Sequence, residues 1–260
     1  MKPGKKPPQR PEVALAASSL AGAGAAAVLA DEASFADALV ALGRLDGVLA
    51  HALREEGCTP RLRRRQAGFA GLAAIIVSQQ VSTASANAIF GRLEARLPRL
   101  EATELLAIDD EGLRLCGISA PKMRTLRAVA AAVKDGQLDF AALASGPADA
   151  AHAALCAIKG IGPWTADIFL LFCLGNADAW PAGDLALQEG ARLVLGLPDR
   201  PDAKALTAIG ERWRPYRGVA AHCLWAYYGA MRARPATLEA TQPTIAATAP
   251  VRARRKQRSA

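Results

Sequence analysis

Asp184 stands in a Pro-Ala-Gly-Asp turn at the head of the apolar run Leu185-Ala186-Leu187. A carboxylate placed there caps the following helix, and a capping carboxylate is a fixed, ionised one. Twenty positions earlier lies Trp164, so one helix and a return loop suffice to bring the two into one cleft. Trp164 follows Lys159-Gly160-Ile161-Gly162-Pro163, a helix-breaking run directly before an apolar helix with proline in its favoured first position. Two glycines allow positive φ and close approach of the backbone to another body. The helix start offers unpaired amides and the positive end of a dipole. Together these make a pocket for one phosphate, with Ile161 tucked between the helices. A tight corner between two helices without a ligand satisfies the same spacing, and spacing alone leaves both readings open.

The elements that must position these groups are helical. Apolar residues recur at helical spacing through most of the chain and no strand alternation persists. "SFADALVALGRLDGVLAHAL" predicts one helix capped by Ser34, with Phe35, Leu39, Leu42, Leu45, Val48 and Leu49 on its inner side. Residues 68–97 predict a buried helix, a polar break at Ser78–Ser82 and a second helix. Ser119, Pro121 and Gly136 bound another. The expectation is an all-α fold of about nine or ten helices, in two lobes around a cleft. The helical body spans 31–235, between disordered tails at 1–30 and 236–260.

Charge and cysteine usage narrow the function classes. Of the net +8, the first twelve residues supply three (Lys2, Lys5, Lys6 and Arg10 against Glu12). Residues 236–260 supply four (Arg252, Arg254, Arg255, Lys256 and Arg258 against Glu239). Basicity in the tails supports loose attraction to nucleic acid and defines no site. The 5 cysteines are odd in number and form no Cys-x-x-Cys pair, which argues against a disulfide framework, a zinc site or an iron–sulfur cluster. The alanine-rich start imitates a secretion signal with a weak apolar core, so a tail is expected instead. No run of strongly apolar residues is long enough to span a membrane.

Four segments in order carry a resemblance. Gly160-Ile161-Gly162 with Thr165-Ala166, then Gly183-Asp184-Leu185-Ala186-Leu187, are similar to the helix-hairpin-helix (HhH-GPD) base-excision DNA glycosylases. "IIVSQQVSTASANAIFGRL" resembles that family's Gln-Gln-x-Ser segment, and "WRPYRGVAAHCLWAYYG" the Trp-Arg-Pro-Tyr-Arg helix of its 3-methyladenine DNA glycosylase II branch. The resemblance covers roughly residues 35–232.

This resemblance implies a monofunctional glycosylase that flips alkylated purines, 3-methyladenine or 7-methylguanine, out of double-stranded DNA and hydrolyses the glycosidic bond. Asp184 would stabilise the oxocarbenium-like sugar and orient water. Trp164 and Trp225, with Tyr216 behind them, would face the cationic base; as large aromatics they fit a core role equally well. Gln80 would fill the gap left by the flipped nucleotide, flanked by Ser78 and Gln79. Lys159 and the amides of Gly160 and Gly162 would hold the backbone. Branches that also cut the strand have a lysine where Trp164 stands, so no lyase step is expected. Ile168 replaces an aromatic of the best-known relative. No cofactor is required, though a sodium or potassium ion at the hairpin would use the carbonyls of Cys156, Ile158 and Ile161. Lys122, Arg124 and Arg127 face either phosphate or solvent; Arg217 is expected to pair with a carboxylate or cap a helix rather than touch the base. Trp180, Trp213 and the three histidines are expected to be structural. The expected protein is a cytoplasmic, nucleoid-associated monomer. The alternatives are a glycosylase for another damaged or mismatched base, and a non-catalytic DNA-binding protein with the same hairpin.

Overall fold

Asp31, not Ser34, opens the first helix of the computed structural model, which describes residues 27–233. Asp31 accepts the Ser34 N–H at 2.8 Å and its own N–H reaches Ser34 Oγ at 3.0 Å, a reciprocal cap on α1 (Glu32–Leu45). The single helix expected through residue 53 breaks at Asp46, which caps α2 (Gly47–Glu55). Asp46 is buried, with Oδ1 accepting from Val48 and Leu49 amides and Oδ2 from the Trp213 indole at 2.7 Å. Arg212 adds a charge partner at 3.0 Å. The break turns Leu45 and Val48 outward, while Phe35, Leu42 and Leu49 remain buried as expected.

The chain continues through α3 (Phe69–Ser78), α4 (Thr83–Arg96), α5 (Ala102–Ala107), α6 (Asp110–Leu115) and α7 (Ala120–Lys134). Then come α8 (Phe140–Ser145), α9 (Ala148–Cys156), α10 (Pro163–Phe172), α11 (Leu185–Leu195) and α12 (Ala203–Gly210). A 3₁₀ turn, Glu211–Trp213, precedes α13 (Arg217–Ala233). Among the described residues the only β feature is an isolated bridge, Val28 to Asn176. The short α8 and α12 exceed the expected helix count.

Two groups of helices emerge. α1, α2, α11, α12 and α13 pack on one another, and α3 through α10 pack together between them in sequence. α3 is buried on nearly every side from Phe69 to Val77 and forms the axis of the second lobe. The lobes meet along the end of α10 and the start of α13. Leu171 and the Ala177 carbonyl press on Gly218 so closely that a Cβ there would clash.

Residues 27–30, expected to lie in a tail, pack against the helical body. Leu29 is fully buried, its amide donating to the Gly175 carbonyl at 2.7 Å, and the Ala27 carbonyl accepts from Ala177. Residues 1–26 and 234–260, with the two basic tails, lie outside the described residues. Among the described residues no helix is long and apolar enough to cross a membrane. Cys116, Cys173 and Cys223 are buried thiols, and burial pushes Cys173 and Cys223 up to about 12.

Candidate active site

Asp184 sits where the two lobes join. Its amide donates to the Pro181 carbonyl, which closes the turn, and its Oδ1 caps α11 by accepting the Leu187 N–H at 2.9 Å. The same carboxylate receives two indoles from opposite lobes. Trp164, at the start of α10, donates Nε1–H to Oδ2 at 3.0 Å. Trp225, on α13, donates Nε1–H to Oδ1 at 3.1 Å. Three N–H donors and no acceptor converge on one half-buried carboxylate, so both oxygens are oriented before any ligand arrives.

Trp225 is held in an aromatic stack. Phe172 lies 5.6 Å and His222 5.9 Å from it between ring centroids. His222 is buried; its Nδ1–H donates to the Gly218 carbonyl at 2.8 Å and Nε2 accepts the Arg63 amide at 3.3 Å. Burial pulls this imidazole down to about 4, so it is a neutral strut, as expected of a structural histidine. Trp180 and Trp213 are likewise buried, their indoles donating to the Leu206 carbonyl and to Asp46.

The glycine hairpin has the expected form. Gly160 takes φ +94°, and a Cβ there would overlap the Thr125 hydroxyl of α7. Gly162 precedes α10 with open space before its Cα, and no side chain caps that helix. Among the described residues the amides of Gly160 and Gly162 have no acceptor, and both glycines are exposed beside exposed Lys159. Ile161 is buried between the helices. The close approach at Gly160 is therefore to α7, while the free amides face outward.

The polar break at 78–82 is only partly as expected. Gln80 is exposed with φ +54°, an uncommon conformation for a residue with a side chain, and exposed Val81 follows it. Ser78 and Gln79 do not join it as outward-facing side chains. Ser78 Oγ donates to the Ile75 carbonyl at 2.8 Å, and Gln79 Nε2 donates to Thr165 Oγ1 of α10 at 2.8 Å. Both brace the loop from within. Lys122 does so too, its Nζ donating to the Val77 and Gln79 carbonyls at 2.7 and 2.8 Å and filling the end of α3.

Other expectations divide. Arg127 binds Asp110 and the Leu105 and Ile108 carbonyls, so neither it nor Lys122 is a free cation facing a phosphate; Arg124 is exposed. Arg217 pairs with Asp178 at 2.8 Å and Glu211 at 3.1 Å, as expected. Tyr216 is half-buried before α13, but no hydrogen bond or ring contact joins it to Asp184 or the indoles. Two open surface depressions lie elsewhere, beside Ile158 and Lys159 on the α7–α9 face and beside Arg92 and Cys116. Neither reaches Asp184, and the hydrogen-bonding geometry identifies the site better than cavity shape does.

Sequence reasoning missed Arg63. Its guanidinium lies over the Trp225 ring, 5.2 Å from the centroid, and is electrostatically coupled to Asp184. The only sequence cue is its place in "RLRRR", a run that alone reads as a solvated basic loop.

Known proteins are similar to this chain in sequence and in fold. Residues 73–215 match the family profile of the HhH-GPD superfamily base excision DNA repair proteins. DNA-3-methyladenine glycosylase 1 of Schizosaccharomyces pombe is 34% identical over 156 residues, 58% of this chain and 68% of that protein. The crystal structure of a DNA-3-methyladenine glycosidase from Bacillus halodurans superposes with a TM-score of 0.66 at 34% identity, covering 75% of this chain and 90% of the other. The Schizosaccharomyces pombe 3-methyladenine DNA glycosylase bound to abasic DNA gives 0.67 at 29% identity, covering 73% and 95%. The family match spans more than half of the chain and the likeness in sequence and fold agrees with it: the chain belongs to the HhH-GPD superfamily of base-excision DNA repair proteins, in its 3-methyladenine branch.

Proposed function

We propose that this protein is a monofunctional DNA glycosylase that everts alkylated purines from duplex DNA and hydrolyses their glycosidic bonds. The observation that carries the reading is the Asp184 carboxylate clamped by two indoles from opposite lobes. The relatives named for 3-methyladenine excision support it.

Alkylation at N3 or N7 gives the purine a positive charge and makes it a good leaving group. Protonation is then unnecessary, and the chemical demand falls on the sugar, which becomes oxocarbenium-like as the base departs. Asp184 supplies the opposing charge, already oriented by three donors, so little reorganisation accompanies bond breaking. The same carboxylate orients the attacking water or takes its proton. Gln80 fills the stack behind the everted nucleotide, and the amides of Gly160 and Gly162, with Lys159, bind the adjacent phosphate. Trp164 and Trp225 flank the base. Tyr216 plays at most an outer role, given its distance in contacts from the clamp. Trp164 offers no amine for a Schiff base, so strand cleavage is not part of the reaction.

The hairpin also fits a sodium or potassium ion. Its donor set would be the carbonyls of Cys156, Ile158 and Ile161, neutral oxygens suited to a hard cation. The Ile158 carbonyl accepts the Ile161 amide at 3.0 Å, which tightens the turn and leaves a second lone pair. A bound ion would add positive charge beside the phosphate. The protein works as a monomer on the chromosome.

The test is release of free bases from methylated duplex DNA. Wild type should release 3-methyladenine or 7-methylguanine, and Asp184→Asn should release them roughly 10²–10³ more slowly while still binding abasic DNA. Release of only other bases would shift the reading to another specificity. No release at all, with binding intact, would leave a DNA-binding protein. Borohydride should trap no covalent complex.

A further inference from the structure

We propose that Arg63 determines specificity by standing in for the cationic base. This rests on the glycosylase reading above. The Arg63 guanidinium lies 5.2 Å from the Trp225 ring centroid, and Trp225 hydrogen-bonds the Asp184 carboxylate. A positive, planar, stacking group thus already occupies the aromatic face beside the only carboxylate of the clamp. That is the position and the chemistry an alkylated purine would bring.

The placement is built, not incidental. The Arg63 amide is fixed to His222 Nε2 at 3.3 Å, and the Arg65 amide to the Phe172 carbonyl at 2.8 Å. One anchor is on Arg63 itself and the other two positions on, and they attach its loop to α13 and α10, the helices that carry Trp225 and Trp164. His222 and Phe172 are the ring neighbours of Trp225 itself. Partial burial disfavours the Arg63 charge and the Asp184 carboxylate supports it, while the residue keeps an exposed face.

Eversion of a nucleotide must displace the guanidinium. A cationic base repays the displacement with its own charge against the same indole and near the same carboxylate. A neutral base displaces a cation and replaces it with none. Arg63 therefore penalises neutral purines and leaves cationic ones nearly untouched. The side chain swings to solvent through its exposed face, with the backbone anchors unchanged.

The experiment measures single-turnover release of 7-methylguanine, cationic in the nucleotide, and of hypoxanthine, neutral, from otherwise identical duplexes. Wild type, Arg63→Gln and Arg63→Lys are compared, with circular dichroism confirming the fold. Arg63→Gln should raise hypoxanthine release relative to 7-methylguanine by about tenfold, and Arg63→Lys, which keeps the charge without the planar face, should raise it by a smaller factor. A ratio unchanged in Arg63→Gln overturns the inference alone. A ratio moving toward 7-methylguanine also overturns it, since Arg63 would then remain in place and repel the cation. If wild type releases neither base, the glycosylase reading fails and this inference falls with it.

Discussion

Replacing Asp184 by Asn tests the clamp without any substrate. Asn caps a helix about as well as Asp, so the bond from the Leu187 amide survives through the Asn oxygen. That oxygen also keeps Trp225, and the Oδ2 position becomes an NH₂ group, a donor facing the indole N–H of Trp164. One indole then loses its acceptor and meets another donor. Leaving one half-buried N–H unpaired costs about 1–3 kcal/mol, or roughly 2–12 °C in melting temperature for a domain of this size. The diagnostic is coupling with Trp164→Phe, which removes the donor and much less of the ring. In the Asp184→Asn background the clash at this position is already present, so Trp164→Phe should cost about 1–2 kcal/mol less there than in wild type. Urea unfolding followed by far-ultraviolet circular dichroism gives the four stabilities, free of the fluorescence change that losing a tryptophan causes. If the two substitutions add within about 0.5 kcal/mol, the carboxylate and Trp164 are not bonded and the preorganised site is refuted.

Gly160→Ala should destabilise by more than about 1 kcal/mol, because φ is +94° and the new methyl meets the Thr125 hydroxyl; adding Thr125→Ala, which removes that oxygen, should recover only the steric part in thermal unfolding. Lys122→Met, which frees the Val77 and Gln79 carbonyls, should weaken binding to abasic duplex several-fold while thermal unfolding confirms a folded protein; unchanged affinity would remove Lys122 from any positioning role. His222, pulled down to about 4 by burial, binds protons less readily folded than unfolded, so its stability contribution of about 3 kcal/mol is lost as pH falls from 6.5 toward 4; His222→Gln should flatten that slope. Asp167, pushed up to about 7 chiefly by burial against the pull of Arg217, has the opposite sign: about 4 kcal/mol is lost as pH rises from 3.8 toward 7, and Asp167→Asn should remove the loss in urea titrations across that range.

What the sequence disclosed follows the range of the interactions. Asp184 and the Gly160–Gly162 hairpin depend on local chemistry, a cap and a turn, and both stand where their spacing predicted. The end of α7 at Gly136 and the polar break after α3 are equally local. Asp46 was hidden because a helical apolar pattern runs straight across it, and the group that makes its burial tolerable is an indole 167 positions away. Ser78 and Gln79 looked like part of an outward polar loop; only the packing of α3 on α10 turns Gln79 toward Thr165. Arg63 was least legible of all. Its placement depends on the Arg63 and Arg65 amides finding acceptors on two separate helices, His222 Nε2 and the Phe172 carbonyl, and nothing in "RLRRR" marks which arginine stacks.

One helix face links the two proposed DNA contacts. Lys122 and Thr125 stand three residues apart on α7, hence on the same side. Lys122 holds the carbonyls that end α3, from which the Gln80 loop springs. Thr125 is the surface against which Gly160 folds the hairpin. Gln79 and Thr165 tie the loop directly to α10, the helix that begins at the hairpin and carries Trp164. A protein that pushes a side chain into the stack at one point and grips the backbone at another must hold those points at a fixed separation, or the force that everts the nucleotide is spent on its own loops. Here the separation is set by one rigid helix and closed by one side-chain hydrogen bond. The strained backbone of Gln80 is consistent with this bracing, since a residue at φ +54° persists only where its surroundings over-determine it.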